Sequence, residues 1–233
     1  MSDLNVLQNT IGVTFKDISL LEQALVHSSY KNENPQITYT SNERLEFLGD
    51  AVVGLIIADI LYRDHPDFSE GQMTKLRASL VRRETLAGIA RDINLGDHLY
   101  LGKGEELSGG RNKQANLASA MEALIAAVFL DRGITGARKF IHRTFKTALK
   151  KSVNASTIKD YKSELQELLQ SVRQQTPTYH VVRTTGPDHG KIFTVEVRLN
   201  NTVLGQGSGK SKKAAEAEAA RLALKNLPAH FTH

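Results

Sequence analysis

Apolar side chains recur at helical spacing along most of the first 150 residues. The longest such pattern predicts a helix over residues 43–63, with Asn42 as its N-cap. The apolar stripe of this helix is formed by Leu45, Leu48, Val52, Leu55, Ile56 and Ile60. Further helices are predicted over residues 20–27, twice within 70–94, over 115–130 and over 136–150. No strand pattern precedes residue 150, so this part of the chain is predicted to be all-α.

Polar stretches separate these helices. Residues 31–41 are polar and contain Pro35 and two Asn, which predicts a loop. Residues 96–113 are rich in Gly and in charge and are predicted to be a loop with at most short helices. Residues 150–157 are small and polar without an apolar period, which is typical of a linker. We therefore expect a first domain over residues 1–150 and a linker over residues 151–158.

The pattern changes after the linker. The predicted elements are a helix over 160–172, β-rich residues 178–184, an alternating strand over 191–199, a turn at Asn200-Asn201, a strand over 202–205 and an Ala-rich helix over 211–227. Their order, α-β-β-β-α, predicts a small α+β domain over residues 159–228. The chain is thus predicted to be multidomain, with an all-α domain followed by an α+β domain.

The positive charge is concentrated in the second domain. The chain of 233 residues has a net charge of +5. Residues 1–155 account for +1 of this charge and residues 156–233 for +4. The asymmetry indicates that the second domain faces a polyanion.

Composition excludes several classes of protein. The chain has no Cys, which rules out disulfides and zinc sites built on thiolates and suits a reducing compartment. Its eight His residues show no metal-binding spacing. No stretch reaches the roughly 18 apolar residues of a membrane span, and residues 1–15 lack the layout of a signal peptide. We therefore expect a cytoplasmic protein without a membrane partner.

Acidic side chains on the long helix form the main candidate for chemistry. Glu43, Glu46 and Asp50 are spaced i, i+3 and i+7, which places them on one helix face. Glu122 lies in an otherwise apolar run and must be desolvated, paired or ligating. Such carboxylates suit Mg²⁺ and metal-dependent phosphodiester hydrolysis. The alternative is that Glu43 and Glu46 lie on a solvated face and that Glu122 marks a helix edge.

The same residues carry a resemblance to a known family. The segment NERLEFLGDAV, residues 42–52, resembles the signature motif of the bacterial ribonuclease III family. ALVHSSY at 24–30, EGQMTKLRASLV at 70–81 and MEALIAAVFLD at 121–131 resemble other blocks of that family. The resemblance covers nearly the whole chain.

The resemblance implies a Mg²⁺-dependent endoribonuclease that is specific for double-stranded RNA, with Mn²⁺ as a substitute ion. Members are homodimers that leave 5′-phosphate and 3′-hydroxyl ends with short 3′ overhangs on structured precursors such as ribosomal RNA. By position, Glu46, Asp50 and Glu122 match metal ligands, and Asp50 and Glu122 also match catalytic acids. Glu43 and Glu70 match supporting acidic positions. Phe47 matches an aromatic residue that contacts the partner subunit; an ordinary core Phe is the alternative.

One position departs from the family pattern. The family has an Asp metal ligand three residues before the second-helix Glu, where this chain has Ser119. Its hydroxyl is neutral and is a weaker Mg²⁺ ligand than a carboxylate. Three outcomes stay open: natural variation that retains activity, an enzyme that is impaired or needs more Mg²⁺, or a deliberate inactivating change. The competing hypothesis is a double-stranded RNA-binding protein whose nuclease centre has decayed. Alternatively, Ser119 bonds a carbonyl of its own helix.

Residues 159–227 resemble a double-stranded RNA-binding domain. By position, Lys210, Lys212 and Lys213 match phosphate contacts across the major groove. The residues that match minor-groove contacts are Ser163, Gln166 and the loop residue His189. Gly209-Lys210-Ser211 also resembles the end of a P-loop, but that motif needs Gly where this chain has Leu204, so no nucleotide cofactor is expected. A basic tail that binds any anion is the weaker alternative.

Overall fold

The structure is a computed structural model that describes residues 4–187 and 190–227, except for the side chains of residues 154–160. The chain divides into two compact units, Met1–Ser152 and Val153–His233. In the described part of the chain, no helix is long and apolar enough to cross a membrane.

The first unit is helical. Its helices are α1 (Leu4–Ile11), α2 (Ile18–Leu25), α3 (Ser28–Glu33), α4 (Glu43–Asp64), α5 (Glu70–Val81), α6 (Arg83–Asp92), α7 (Lys103–Leu107) and α8 (Gln114–Thr144). Two 3₁₀ turns, Leu95–His98 and Gly110–Asn112, lie in the predicted Gly-rich loop. Helices α4 and α8 pack against each other at the centre of the core. The all-α prediction is confirmed.

Several predicted helix boundaries differ from the structure. Helix α8 merges the predicted segment 115–130 with part of the segment 136–150, and only Gly133 interrupts it, with φ 66° and ψ −174°. Helix α9 (Lys146–Arg173) runs through residues 151–158, where the sequence predicts a linker. That segment is polar but contains neither Gly nor Pro, so nothing in it terminates a helix.

Asn42 does not cap α4 as predicted. Its backbone is already helical, with φ −74° and ψ −4°, and its side chain makes no capping hydrogen bond. Instead, the buried side chain donates through Nδ2 to the carbonyl oxygen of Ala24 at 3.3 Å, and the Asn42 amide donates to that of Val26 at 2.8 Å. Asn42 therefore ties the start of α4 to the end of α2.

The predicted apolar stripe of α4 contains one error. Leu45, Val52, Ile56 and Ile60 are buried, but Leu55 is 62% exposed. Phe47 and Tyr62, each about two helical turns from Leu55 on the same face, are 83% and 73% exposed. A helix pattern alone cannot separate residues of the core from residues of a second apolar face.

The second unit contains a three-stranded antiparallel sheet in the order β1-β2-β3. Its elements are the C-terminal part of α9, β1 (Thr178–Thr185), β2 (Ile192–Leu199), β3 (Thr202–Gly209) and α10 (Lys212–Asn226). Leu165 and Leu169 of α9 and Val195 and Val197 of β2 are fully buried with the alanines of α10. The predicted order α-β-β-β-α is confirmed, and β3 extends four residues past its predicted end.

Small residues bring α10 against β3. The glycines of β3 alternate at positions 205, 207 and 209. A Cβ on Gly207 would lie 2.2 Å from the backbone nitrogen of Ala219 on α10, so only glycine permits this approach. The packing fixes where the N-terminus of α10 emerges from the sheet.

Candidate active site

The predicted carboxylates meet where α4 crosses α8. A Cβ on Gly49 of α4 would lie 1.9 Å from the carbonyl oxygen of Glu122 on α8. Because Gly49 has no side chain, the two backbones approach more closely than any other residue would allow. The crossing places Glu46 and Asp50, which flank Gly49, beside Ser119 and Glu122.

Ser119 joins the two helices by a hydrogen bond. Its hydroxyl donates to Oε1 of Glu46 at 2.9 Å, and both side chains are half-buried. The alternative that Ser119 bonds a carbonyl of its own helix is therefore wrong. The bond fixes the Glu46 carboxylate toward α8.

The charge state of Glu122 is perturbed. Burial, and after it the negative charges of Asp50 and Glu46, raises the pKa of the Glu122 carboxyl to about 7, and a smaller opposing effect of Arg83 is included in that value. Three carboxylates from two helices thus share one region with one nearby cation acting on Glu122. The region favours a cation or a proton.

The side chains do not converge on a single point. Within residues 4–187 and 190–227, no group of three or more His, Asp or Glu side chains is arranged to hold a metal ion. Mg²⁺ commonly binds through one or two carboxylates and completes its shell with water. The oxygen donors of Glu46, Asp50 and Glu122, with the Ser119 hydroxyl, are chemically suited to such an ion.

The two supporting acids lie at other contacts. Glu43 is exposed and accepts a hydrogen bond from the Ser41 hydroxyl at 2.5 Å. Glu70 is the first residue of α5 and accepts from the Thr74 hydroxyl at 2.9 Å. Neither is among the groups that shift the pKa of Glu122.

Phe47 projects into solvent rather than into the core, with 83% of its surface exposed. A cavity of about 640 Å³ lies beside it. Its apolar lining comes from Leu20, Leu45, Leu48, Phe47 and Leu130. Phe47 is therefore not a core residue of the single chain, and that alternative is wrong.

The predicted lysines lie together at the start of α10. Lys210, Lys212 and Lys213 are exposed, and the hydroxyl of Ser211 caps the helix by accepting from the Ala214 amide at 3.1 Å. The first turn has no acidic residue. Ser163 and Gln166 are exposed on α9. The remaining predicted contact, His189, lies outside the described residues.

Sequence reasoning missed three features of the site. Gly49 lies in the motif at residues 42–52, but the motif alone does not show that Gly49 approaches Glu122, which is far away in the sequence. Arg83 was not singled out, although its charge acts on Glu122. Leu55 was assigned to the core; the spacing of Phe47, Leu55 and Tyr62 on one face was the available signal.

Comparisons with known proteins agree with this arrangement. The family model described as Ribonuclease-III-like matches residues 17–149, and the double-stranded RNA binding motif matches residues 161–227. A Ribonuclease 3 of Dehalococcoides mccartyi (strain ATCC BAA-2266 / KCTC 15142 / 195) is 52% identical over 232 residues, which cover 100% of this chain and 98% of that protein. A Ribonuclease 3 of Roseiflexus sp. (strain RS-1) is 48% identical over 223 residues, 95% of this chain and 94% of its own.

A solved structure matches the first unit. The nuclease domain of ribonuclease III from Campylobacter jejuni is 37% identical, with a TM-score of 0.58, and the match covers 62% of this chain and 97% of that one. The helical fold of that structure and the sequence identity with the full-length relatives lead to the same assignment. The chain belongs to the ribonuclease III family.

Proposed function

We propose that this protein is a homodimeric endoribonuclease that hydrolyses phosphodiester bonds of double-stranded RNA and depends on Mg²⁺ or Mn²⁺. The observation that carries the proposal is the crossing at Gly49 and Glu122, which gathers carboxylates of two helices in one region. Products with 5′-phosphate and 3′-hydroxyl ends, and structured substrates such as ribosomal RNA precursors, follow from the family. The cytoplasmic location stays a prediction from composition.

The chemistry of the acidic site supports a divalent ion. Burial and then the negative charges of Asp50 and Glu46 raise the pKa of the Glu122 carboxyl, which favours a bound cation beside these acids. Glu46, Asp50 and Glu122 would hold the ion. When bound, a divalent cation neutralises phosphate charge and activates a water for hydrolysis.

The protein's own groups have distinct roles in this proposal. Ser119 orients the Glu46 carboxylate through their 2.9 Å hydrogen bond. A carboxylate at position 119 would instead repel the Glu46 carboxylate. Gly49 sets the spacing of the two acidic helices. Asp50 is exposed and faces the solvent from which the RNA phosphate arrives. These groups orient the phosphate and the attacking water; they do not require a catalytic His.

Ser119 does not turn the protein into a mere RNA binder. The carboxylates Glu46, Asp50 and Glu122 are present and placed together, and Ser119 contacts one of them directly. The relatives with 52% and 48% identity are both named Ribonuclease 3. The alternative of an inactivated enzyme therefore has no support.

Cleavage of a long RNA duplex tests the proposed activity. A DNA duplex of the same sequence is the matched control. We expect the RNA to be cut in Mg²⁺ and spared in EDTA, and the DNA to be spared in both. Equal cleavage of RNA and DNA would contradict the proposed specificity, because recognition of A-form shape and 2′-hydroxyls favours RNA.

The second unit supports RNA as the polyanion. Lys212 and Lys213 occupy the first turn of α10, where the helix dipole already carries partial positive charge. The N-terminal amides of α10 add hydrogen-bond donors at the same place. Phosphates of the RNA backbone would offset this accumulation of positive charge.

Replacing Lys212 and Lys213 by Gln should weaken binding of duplex RNA by about tenfold or more at low salt. It should also reduce the slope of log affinity against log salt by about 2, since each lost phosphate contact releases one counterion less. Filter binding over a salt series measures both quantities. Lys225→Gln, in the last turn of the same helix, is the matched control and should change neither. Equal effects of the two changes would refute a specific role for the first turn.

The exposed face of α4 supports a dimer. Phe47, Leu55 and Tyr62 expose apolar surface on one face, beside a cavity of about 640 Å³ at Phe47 and one of about 360 Å³ at Tyr62. In a two-fold dimer, the same face supplies both the projecting rings and the cavities that receive them. The Campylobacter jejuni structure is described as showing flexibility in a region involved in dimer formation of its nuclease domain.

Leu55→Arg should convert the dimer to a monomer, because it buries a charge in an apolar interface. Sedimentation equilibrium should then give the 25.7 kDa of one chain instead of twice that mass. Leu107→Arg is the control, since Leu107 is 89% exposed on α7 and lies off this face. If the Leu55→Arg protein keeps the dimer mass, the interface lies elsewhere.

A further inference from the structure

A separate cavity in the first unit has the features of an anion site. It has a volume of about 580 Å³ and is lined by residues of the α1–α2 connection and of the C-terminal half of α8. It shares no lining residue with the carboxylate site. The volume lies within the range of about 300–1,000 Å³ that is typical of small-molecule sites.

The cavity lining carries three cations and no carboxylate. All three come from α8: Arg132 lies just before the kink at Gly133, and the exposed Lys139 and Arg143 lie one turn apart after it. Arg132 is held in place by Asp131, with Nε 2.8 Å from Oδ2, and by a hydrogen bond to the carbonyl oxygen of Thr14. Across the described residues, Lys139 and Arg143 make no hydrogen bond or ion pair. Two positive charges of the lining thus have no protein counterion.

Glycine makes room for one of these cations. Gly12 has φ +55°, and a Cβ at this position would lie 1.7 Å from Nη1 of Arg143. Any other residue would therefore both strain the backbone and displace the guanidinium. At Gly136 the constraint is different, because a Cβ there would lie 2.2 Å from the Cβ of Arg132 across the kink at Gly133. Only Gly12 therefore leaves space for a guanidinium, that of Arg143.

We propose that this cavity binds a small oligophosphate, of the size of pyrophosphate or the phosphate tail of a nucleotide. Arginine presents a planar fork of donors that matches phosphate oxygens, and lysine adds a point charge. Asp131 already neutralises Arg132, so the uncompensated charges are those of Lys139 and Arg143, and a compact polyanion would offset them. The buried ring of Phe140 and the half-buried Val13 close the apolar part of the lining.

Isothermal titration with inorganic pyrophosphate in EDTA, at fixed ionic strength, tests the proposal. EDTA excludes an ion bridging pyrophosphate to the carboxylate site. We expect saturable binding of one pyrophosphate per chain. The double change Lys139→Gln with Arg143→Gln should weaken it at least tenfold. The control, Lys146→Gln with Lys150→Gln, removes the same charge from exposed positions of α9 outside the cavity and should change affinity less than twofold.

Duplex RNA binding by the same variants distinguishes a free oligophosphate from the phosphates of RNA. We expect the Lys139→Gln, Arg143→Gln protein to bind duplex RNA within twofold of the unchanged chain. The proposal is overturned if pyrophosphate binding does not saturate, or if the two double variants lose affinity for pyrophosphate equally. It is also overturned if the chain does not bind pyrophosphate and the Lys139→Gln, Arg143→Gln protein has a tenfold lower affinity for duplex RNA. The cations would then contact RNA instead.

Discussion

Glu122→Gln is expected to lower the rate of duplex RNA cleavage by about 10³-fold or more, while the protein keeps its affinity for duplex RNA. The amide retains the size of the side chain but loses the charge that Glu122 contributes beside Asp50 and Glu46. The lysines at the start of α10 are untouched. Asp92→Asn, at the exposed end of α6, is the control and should leave cleavage unchanged.

The same variant should be more stable than the unchanged chain when no divalent ion is present. The pKa of Glu122 is raised from 4.5 to about 7, so the folded state holds this proton more tightly than the unfolded state. Stability from this group is fully present below pH 4.5 and is lost as the pH rises through 7. Because the side chain is only half-buried, solvent screening keeps the loss below the roughly 3 kcal/mol that the full shift would give. Gln stays neutral and avoids it.

Urea unfolding in EDTA at pH 4.5 and pH 8 measures this difference. The two proteins should have equal stability at pH 4.5, and Glu122→Gln should be the more stable at pH 8. An inactive variant that is also more stable cannot owe its inactivity to unfolding. A less stable variant at pH 8 would show that the Glu122 carboxylate has a favourable partner within the folded chain, which contradicts the proposed acidic site.

Gly49→Ala should destabilise the protein by about 3 kcal/mol and reduce cleavage strongly. The added Cβ would lie 1.9 Å from the carbonyl oxygen of Glu122, so α4 and α8 must separate at the point where their carboxylates meet. Thermal unfolding and the cleavage rate measure the two effects.

Gly88→Ala is the control for this change. Gly88 also lies in a helix, α6, but a Cβ there meets nothing within 4 Å. It should stabilise the protein by up to about 1 kcal/mol, because Ala has the higher helix propensity. If both changes have the same effect, close contact at Gly49 does not hold the two helices in place.

Local patterns in the sequence were enough to predict the order of elements and the pairing of Glu46 with Asp50. These depend on helical spacing and strand alternation, which are properties of neighbouring residues. The resemblance, not the pattern, brought Glu122 to the same site.

The errors concern relations between distant segments. Asn42 resembles an N-cap in sequence, yet its side chain bonds Ala24 of another helix. Leu55 fits the helical stripe, but it lies on a face that the rest of the chain does not cover. The hydrogen bond from Ser119 to Glu46 joins residues 73 positions apart. Tertiary contacts of this kind leave no periodic signal.

The most direct test of the central claim is cleavage of a long RNA duplex over a Mg²⁺ titration, comparing this chain with Ser119→Asp. We predict that both proteins cut. The unchanged chain should need about tenfold more Mg²⁺ for half-maximal rate, because a neutral hydroxyl replaces a charge beside the ion. If neither protein cuts at any Mg²⁺ concentration although both bind the duplex, the crossing of α4 and α8 is not a nuclease site.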